Sequence, residues 1–252
     1  MSKASLLTAI AIFFMVLSAN AQQGSGLVAL EKQEDYTKDY KSRRGTHGAL
    51  FSVSTEAFYP IDYRSLIDND VYIENIIGEN KINLIGIELG YKYNFGVLSA
   101  AILGQYSQGS ADGAVDSDPT TLKVVKQGFS ANVALDGILN EPWVVPYGQI
   151  GMHQFTIEED RAGGSNSSGG TGLSFNYRYG LLFQIDWIEN RIDKSAKADQ
   201  LRSSGLENTF IDVYFANYLA SSGAIDPADA ASDGDPNLFS SGEMGIGLKM
   251  EF

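Results

Sequence analysis

Met244-Gly-Ile-Gly-Leu-Lys-Met-Glu-Phe252 is the stretch on which the fold reading turns. Met244, Ile246, Leu248, Met250 and Phe252 alternate without a break with Gly245, Gly247, Lys249 and Glu251. Successive residues of a β-strand point to opposite faces, so this is a strand with one apolar and one polar face. A soluble sandwich carries strands of the same pattern. The reading narrows because the strand closes on an aromatic residue in a chain that opens as a secreted one.

At that opening, Lys3 is the lone charge of a short n-region, and Leu6 to Leu17 (LLTAIAIFFMVL) forms an apolar h-region. Ala19-Asn20-Ala21 then reads as a cleavage site before Gln22, so residues 1–21 are expected to be a removable signal peptide. The apolar run is too short for a stable membrane helix, and no later stretch approaches the roughly 20 apolar residues one needs. A chain of this kind that enters a membrane does so as strands, and the expectation is a transmembrane β-barrel. The chain has no Cys, which excludes disulfides and a lipoprotein anchor. Its formal net charge is -13, and losing Lys3 with the leader makes it more negative. Phosphate binding needs a basic surface, so nucleic acid is excluded as a partner.

Working back from the C-terminal strand, seven further segments alternate. Phe51, Val53, Thr55, Ala57 and Tyr59 oppose Ser52, Ser54, Glu56 and Phe58. Ile85 to Phe95 sets Ile, Leu, Tyr and Phe against Gly86, Glu88, Gly90, Lys92 and Asn94. Leu98, Ala100, Ile102 and Tyr106 mark the next, and Val125, Phe129, Ala131, Val133 and Leu135 oppose Lys126, Ser130, Asn132 and Asp136. The segment from about Trp143 to Ile157 is irregular: Ile150 and Met152 suggest one face, Tyr147 and Phe155 the other. Leu173 to Trp187 is the cleanest, with Arg178 and Asp186 on its polar side, and Ile211, Val213 and Phe215 oppose Asp212 and Tyr214. The spacing predicts about eight antiparallel strands in an up-and-down barrel spanning residues 48–252.

Connections alternate in length. Asn94-Phe95-Gly96 and Gly137 to Pro142 are short, whereas Asp62–Lys81, Gly109–Thr121, Glu159–Gly170 and Ser221–Glu243 are long and polar. Short periplasmic turns and long external loops are the rhythm of outer-membrane barrels. Glu189 to Glu207 breaks the rhythm, and Asp193 to Arg202 within it is expected to form a short periplasmic helix. Trp143, Trp187, Tyr91, Tyr93 and Phe252 fall at the periplasmic strand ends; Phe58, Tyr59, Tyr106, Phe175 and Tyr177 fall toward the opposite rim. Two such girdles anchor a barrel at the two interfaces.

These features resemble the small eight-stranded outer-membrane barrels of the OmpA/OmpX type. The similarity covers about Gly48 to Phe252 and is one of pattern and architecture. It implies a Gram-negative outer-membrane location, contact with outer-membrane lipid and lipopolysaccharide, and Phe252 as the signal read by the outer-membrane assembly machinery. Residues 22–47, a charged segment, depart from the pattern and read as a periplasmic arm or a lumen plug.

The inward set, Glu56, Glu88, Lys92, Lys126, Asp136, Arg178, Asp186, Asp212 and Lys249, must pair within the tube, because an isolated buried ion is costly. Glu88 with Lys126 or Arg178 is the expected mid-lumen cluster. An interior of eight strands is just wide enough for side chains to fill, which favours a structural plug over an ion path. Of the two histidines, His47 precedes the first strand and His153 is expected as a plain rim residue near the outer end of the fifth. Barrel enzymes that modify lipid A resemble this architecture but need a base beside a nucleophile, and no such constellation surrounds His153. Asp226, Asp229, Asp233 and Asp235 form an acidic loop whose spacing does not match an EF-hand, although clustered carboxylates bind Ca²⁺ through oxygen. Gly163–Thr171 (GGSNSSGGT) reads as a flexible loop. No cofactor is implied. The sequence thus supports a structural or surface-interaction role through long acidic external loops, with a narrow channel as the alternative and a lipid-modifying enzyme third.

Overall fold

The computed structural model describes residues 39–68, 71–113, 119–185, 205–226 and 234–252. Nine strands are present: β1 (His47–Phe58), β2 (Ile82–Phe95), β3 (Leu98–Gly113), β4 (Thr120–Ala134), β5 (Val144–Arg161), β6 (Asn166–Gly170), β7 (Ser174–Gln184), β8 (Asn208–Tyr218) and β9 (Ser240–Glu251). Their order is β4-β3-β2-β1-β9-β8-β7-β5-β6, all antiparallel, and β4 also pairs with β5. The sheet therefore closes on itself as an eight-stranded barrel, with β6 a short flap on the upper part of β5. Closure joins the first and last strands: Leu50 to Glu56 pair with Glu251 to Gly245.

The barrel is inside-out relative to a soluble one. Around the middle of the barrel the outward face carries exposed apolar residues, from Val53 and Ile87 through Ile102, Phe129, Ile150, Phe175 and Ile246, while Glu88, Lys126, Arg178 and Lys249 are buried within. Gly245 shows why the polar face of the closing strand is partly glycine. A Cβ there would lie 2.2 Å from Cζ of Tyr214, so the lumen can hold that ring only against a bare backbone.

Above the apolar belt the inward–outward alternation continues unbroken, but the apolar residues pass from the outward set to the inward one. On β5, Ile150 and Met152 face out, but three residues further Phe155 and Ile157 face in, with Thr156 and Glu158 exposed. On β4, Val124 and Leu122 point inward and Lys123 outward, and on β2, Ile82 points inward and Asn83 outward. This inversion is what makes the fifth segment look irregular in sequence. A strand leaving hydrocarbon for water must turn its apolar side from lipid to core.

Several expectations are corrected. Gly163–Thr171 is not simply loop, since Asn166–Gly170 forms β6 against Thr156–Asp160. Phe58 does not join the outer girdle but is fully buried in the lumen, stacked on Phe155. The strands on either side of the second external loop run further than the pattern predicts, β3 to Gly113 and β4 from Thr120. Two short helices flank β1: α1 (Tyr40–Arg43) and α2 (Ile73–Ile77). The helix expected at 193–202, the leader, Trp187 and Asp186 lie outside the described residues. No helix among the described residues is long and apolar enough to cross a membrane.

Candidate functional site: a lumen closed at both mouths

The mouth of the barrel on the side of the short β2–β3 and β4–β5 turns is closed by residues 39–46. Asp39 caps α1 by accepting from the Ser42 N–H, and Tyr40 turns into the barrel, where it is fully buried. Its hydroxyl donates to Glu251 (2.8 Å) and accepts from Lys92 (3.0 Å). Lys92 also pairs with Glu251 and with Asp136 (2.6 Å), and Arg44 reaches Asp136 from below (2.7 Å) while bonding the Gly96 carbonyl. Burial alone would raise the Asp136 carboxyl; Lys92, Ser99 and Arg44 outweigh it and hold it below the ordinary carboxylate value. This strap is the nearest described part of the segment that reads as an arm or plug.

The middle of the lumen is an ion-pair network. Arg178 contacts Glu88 at 3.0 Å and Glu56 at 3.7 Å and lies 4.0 Å over the Tyr214 ring. Gln149 donates to Glu88 (3.2 Å) and Ser130 (2.9 Å). Of the residues expected to cluster, Glu88 and Arg178 are thus joined directly, while Lys126 donates to the Tyr218 hydroxyl (2.6 Å), which in turn donates to Glu56. Lys249 pairs with Asp212 (3.4 Å), and Tyr147 donates to the same carboxylate (2.8 Å). Within this network five cations, Arg44, Lys92, Lys126, Arg178 and Lys249, face five carboxylates, Glu56, Glu88, Asp136, Asp212 and Glu251. A void beside Ser54, Gln105, Ser107 and Lys126 measures about 10 Å³, room for one water.

The external third is hydrocarbon. Phe58, Phe155, Ile157, Leu84, Leu122 and Val124 line it from the strands, and α2 lowers Ile73, Ile76 and Ile77 onto them. Gly113 lets the helix come this close, because a Cβ there would sit 1.6 Å from the Ile76 carbonyl oxygen. Glu159, fully buried, ties the first loop down by accepting from Tyr63 (3.1 Å), Ser65 (2.7 Å) and the Leu66 N–H (2.8 Å). Burial and this carboxylate raise the Tyr63 hydroxyl well above its usual value. His153 belongs to this region. It is not a rim residue but a buried, lumen-facing one, with Phe155 (4.7 Å) and Tyr218 (5.3 Å) edge-on to its ring. A histidine so packed is screened from any external lipid.

A closed, lipid-facing ladder of eight strands around a polar lumen decides the architecture. The fold is that of the small eight-stranded outer-membrane barrels. Among solved structures, the chain is similar to Ail, the attachment invasion locus protein of Yersinia pestis, in complex with the heparin analogue sucrose octasulfate. That match has 15% identity and a TM-score of 0.40, covering 82% of this chain and 97% of Ail. It is also similar to Neisserial surface protein A (15% identity, 82% of this chain and 96% of that one, TM-score 0.43). The N-terminal β-barrel domain of Pseudomonas aeruginosa OprF gives 13% identity, 81% and 99% coverage, and a TM-score of 0.39. No family model and no curated protein sequence matches the chain.

Asp235 of the acidic loop accepts from the Gly172 N–H (2.5 Å) and from Ser221 (3.0 Å), stapling the loop to the approach to β7; Asp226 is exposed, and Asp229 and Asp233 lie outside the described residues. Among the described residues no group of three or more His, Asp or Glu is placed to hold a metal ion. Phe252 ends beside β1, exchanging both backbone bonds with Ala49 (2.8 and 2.9 Å). Sequence reasoning missed Tyr40, Glu159 and α2. Only α2 carried a local signal, since Ile73, Ile76 and Ile77 have helical spacing.

Proposed function

We propose that this chain is a bacterial outer-membrane barrel whose role is surface interaction through its external loops, over a lumen that is structural rather than conducting. The observation that carries this reading is the filled bore: an ion-pair network in the middle, an apolar stopper above and the Tyr40 strap below. The lipid-facing belt supports the location, with outer-membrane lipid and lipopolysaccharide as its surroundings. The external face is acidic, with Asp68, Glu74 and Glu79 exposed on the first loop.

Outer-membrane fractionation, followed by gel electrophoresis of unboiled and boiled protein, tests the location. A faster unboiled band from the outer-membrane fraction is expected; a soluble protein with no heat shift overturns the reading. Planar-bilayer recording tests the bore. No stepwise conductance is expected, and reproducible steps would replace the surface role with the channel alternative.

A further inference from the structure

The periplasmic rim carries an apolar tip that strand crossing does not account for. Phe95 and Val97 flank the β2–β3 turn, and Ile138, Leu139 and Trp143 flank the β4–β5 turn; all five are exposed, Ile138 and Leu139 by 54% and 50%. The two turns are one surface, because Gly137 donates to the Val97 carbonyl (3.1 Å) and Arg44 bonds the carbonyl of Gly96. Exposed Ile and Leu at the end of a turn in water are unfavourable, as each leaves apolar area wet.

Two observations say what covers them. First, the tip is continuous with the lipid-facing belt: Tyr93 and Phe95 stack at 6.1 Å at the end of the outward stripe of β2, and Val97 is exposed in the turn that follows. From Ile85 to Phe95 that stripe rises about 26 Å for a strand tilted by about 40°, which matches an apolar band of about 25 Å, so the turn residues beyond it fall at the headgroup zone. Secondly, an exposed cation stands beside the tip in a chain of net charge -13. Lys41 is exposed on α1, and its backbone N–H bonds the Asn140 carbonyl of the same turn (3.1 Å). The neighbouring carboxylate, Glu141, is turned inward to the Tyr40 N–H (3.1 Å) and Gln184 (3.4 Å).

We infer that Phe95, Val97, Ile138, Leu139 and Trp143, with Lys41 above them on the strap, form an anchor for anionic phospholipid of the periplasmic leaflet. Apolar side chains enter the interface while a cation meets the headgroup phosphate. The inference rests on the membrane reading proposed above, and its test separates the two.

The chain has no Cys, so single cysteines report cleanly. Leu139→Cys, Ile102→Cys on the belt and Glu74→Cys on the external loop would each carry an environment-sensitive fluorophore. The folded proteins would be placed in vesicles of phosphatidylcholine with phosphatidylglycerol. The expected result is a blue-shifted Leu139 label shielded from aqueous iodide, like Ile102 and unlike Glu74. If Ile102 is shielded and Leu139 is not, the anchor falls and the barrel stands; if neither is shielded, the membrane reading itself falls. Native mass spectrometry then reads lipid preference. Lys41→Glu should cut retention of phosphatidylglycerol over phosphatidylcholine about fivefold, with the heat shift on gels unchanged. An unaltered preference overturns the headgroup part.

Discussion

Below Tyr218 the lumen is filled with charge, and above it with hydrocarbon, although one set of strands builds both. In the lower part the inward side chains, apart from Tyr40, Arg44 and Asp136, come from strands whose other face meets lipid, so the polar residues excluded from lipid collect inside and must satisfy one another. In the upper part the outward face meets water, and α2 brings its own isoleucines into the mouth, as a helix does on the core of a soluble protein. The contrast separates two kinds of stability. Charge partners are specific and fail when one is lost. Apolar packing degrades by volume.

The largest break should come from Arg178→Ala, which strands Glu88 and Glu56 in the buried network. A loss of about 3–5 kcal/mol is expected, read as a lower urea midpoint for the unfolding of the barrel from vesicles. Replacing Arg178 and Glu88 together by Met and Gln should recover part of that loss, and a double variant no better than the single one would show that the pair is not the unit. Leu122→Ala in the stopper should cost about 2–4 kcal/mol and leave the lower lumen intact, so that the barrel still migrates fast unboiled. At the periplasmic end, Tyr40→Phe removes one hydroxyl between Glu251 and Lys92 and should cost about 1–2 kcal/mol, seen as earlier proteolysis of the strap. The smallest effect concerns pH. The folded carboxyl of Asp136 lies below its unfolded value, so its contribution is present above about pH 4 and fades as pH falls through the lower folded value. Asp136→Asn should flatten the acid limb of the stability curve, and an unchanged limb would remove the strap from the charge balance.

The barrel was legible because its signal is local: a period of two repeats within each strand, and loop lengths fix which end each strand begins from. The lumen charges were legible by the same rule, since Glu88, Lys126 and Arg178 stand on polar faces at similar depth. What stayed hidden depends on distance along the chain. Tyr40 meets Glu251 across 211 positions, and nothing near either residue announces the other. Glu159 sits in Glu158-Glu159-Asp160, where only the pleat separates a buried carboxylate from two exposed ones. The passage of apolar residues inward on β5 was visible as irregularity, yet its meaning required knowing where lipid ends.

The Tyr40 strap also orders events in time. Its hydroxyl needs Glu251 on β9 and Lys92 on β2 at once, and those two strands flank β1. Until β9 has zipped to β1 the Glu251 side of that site does not exist, so the Tyr40 hydroxyl completes its bonds only on a finished ring. The N-terminal end of the barrel thereby acts as a completion marker.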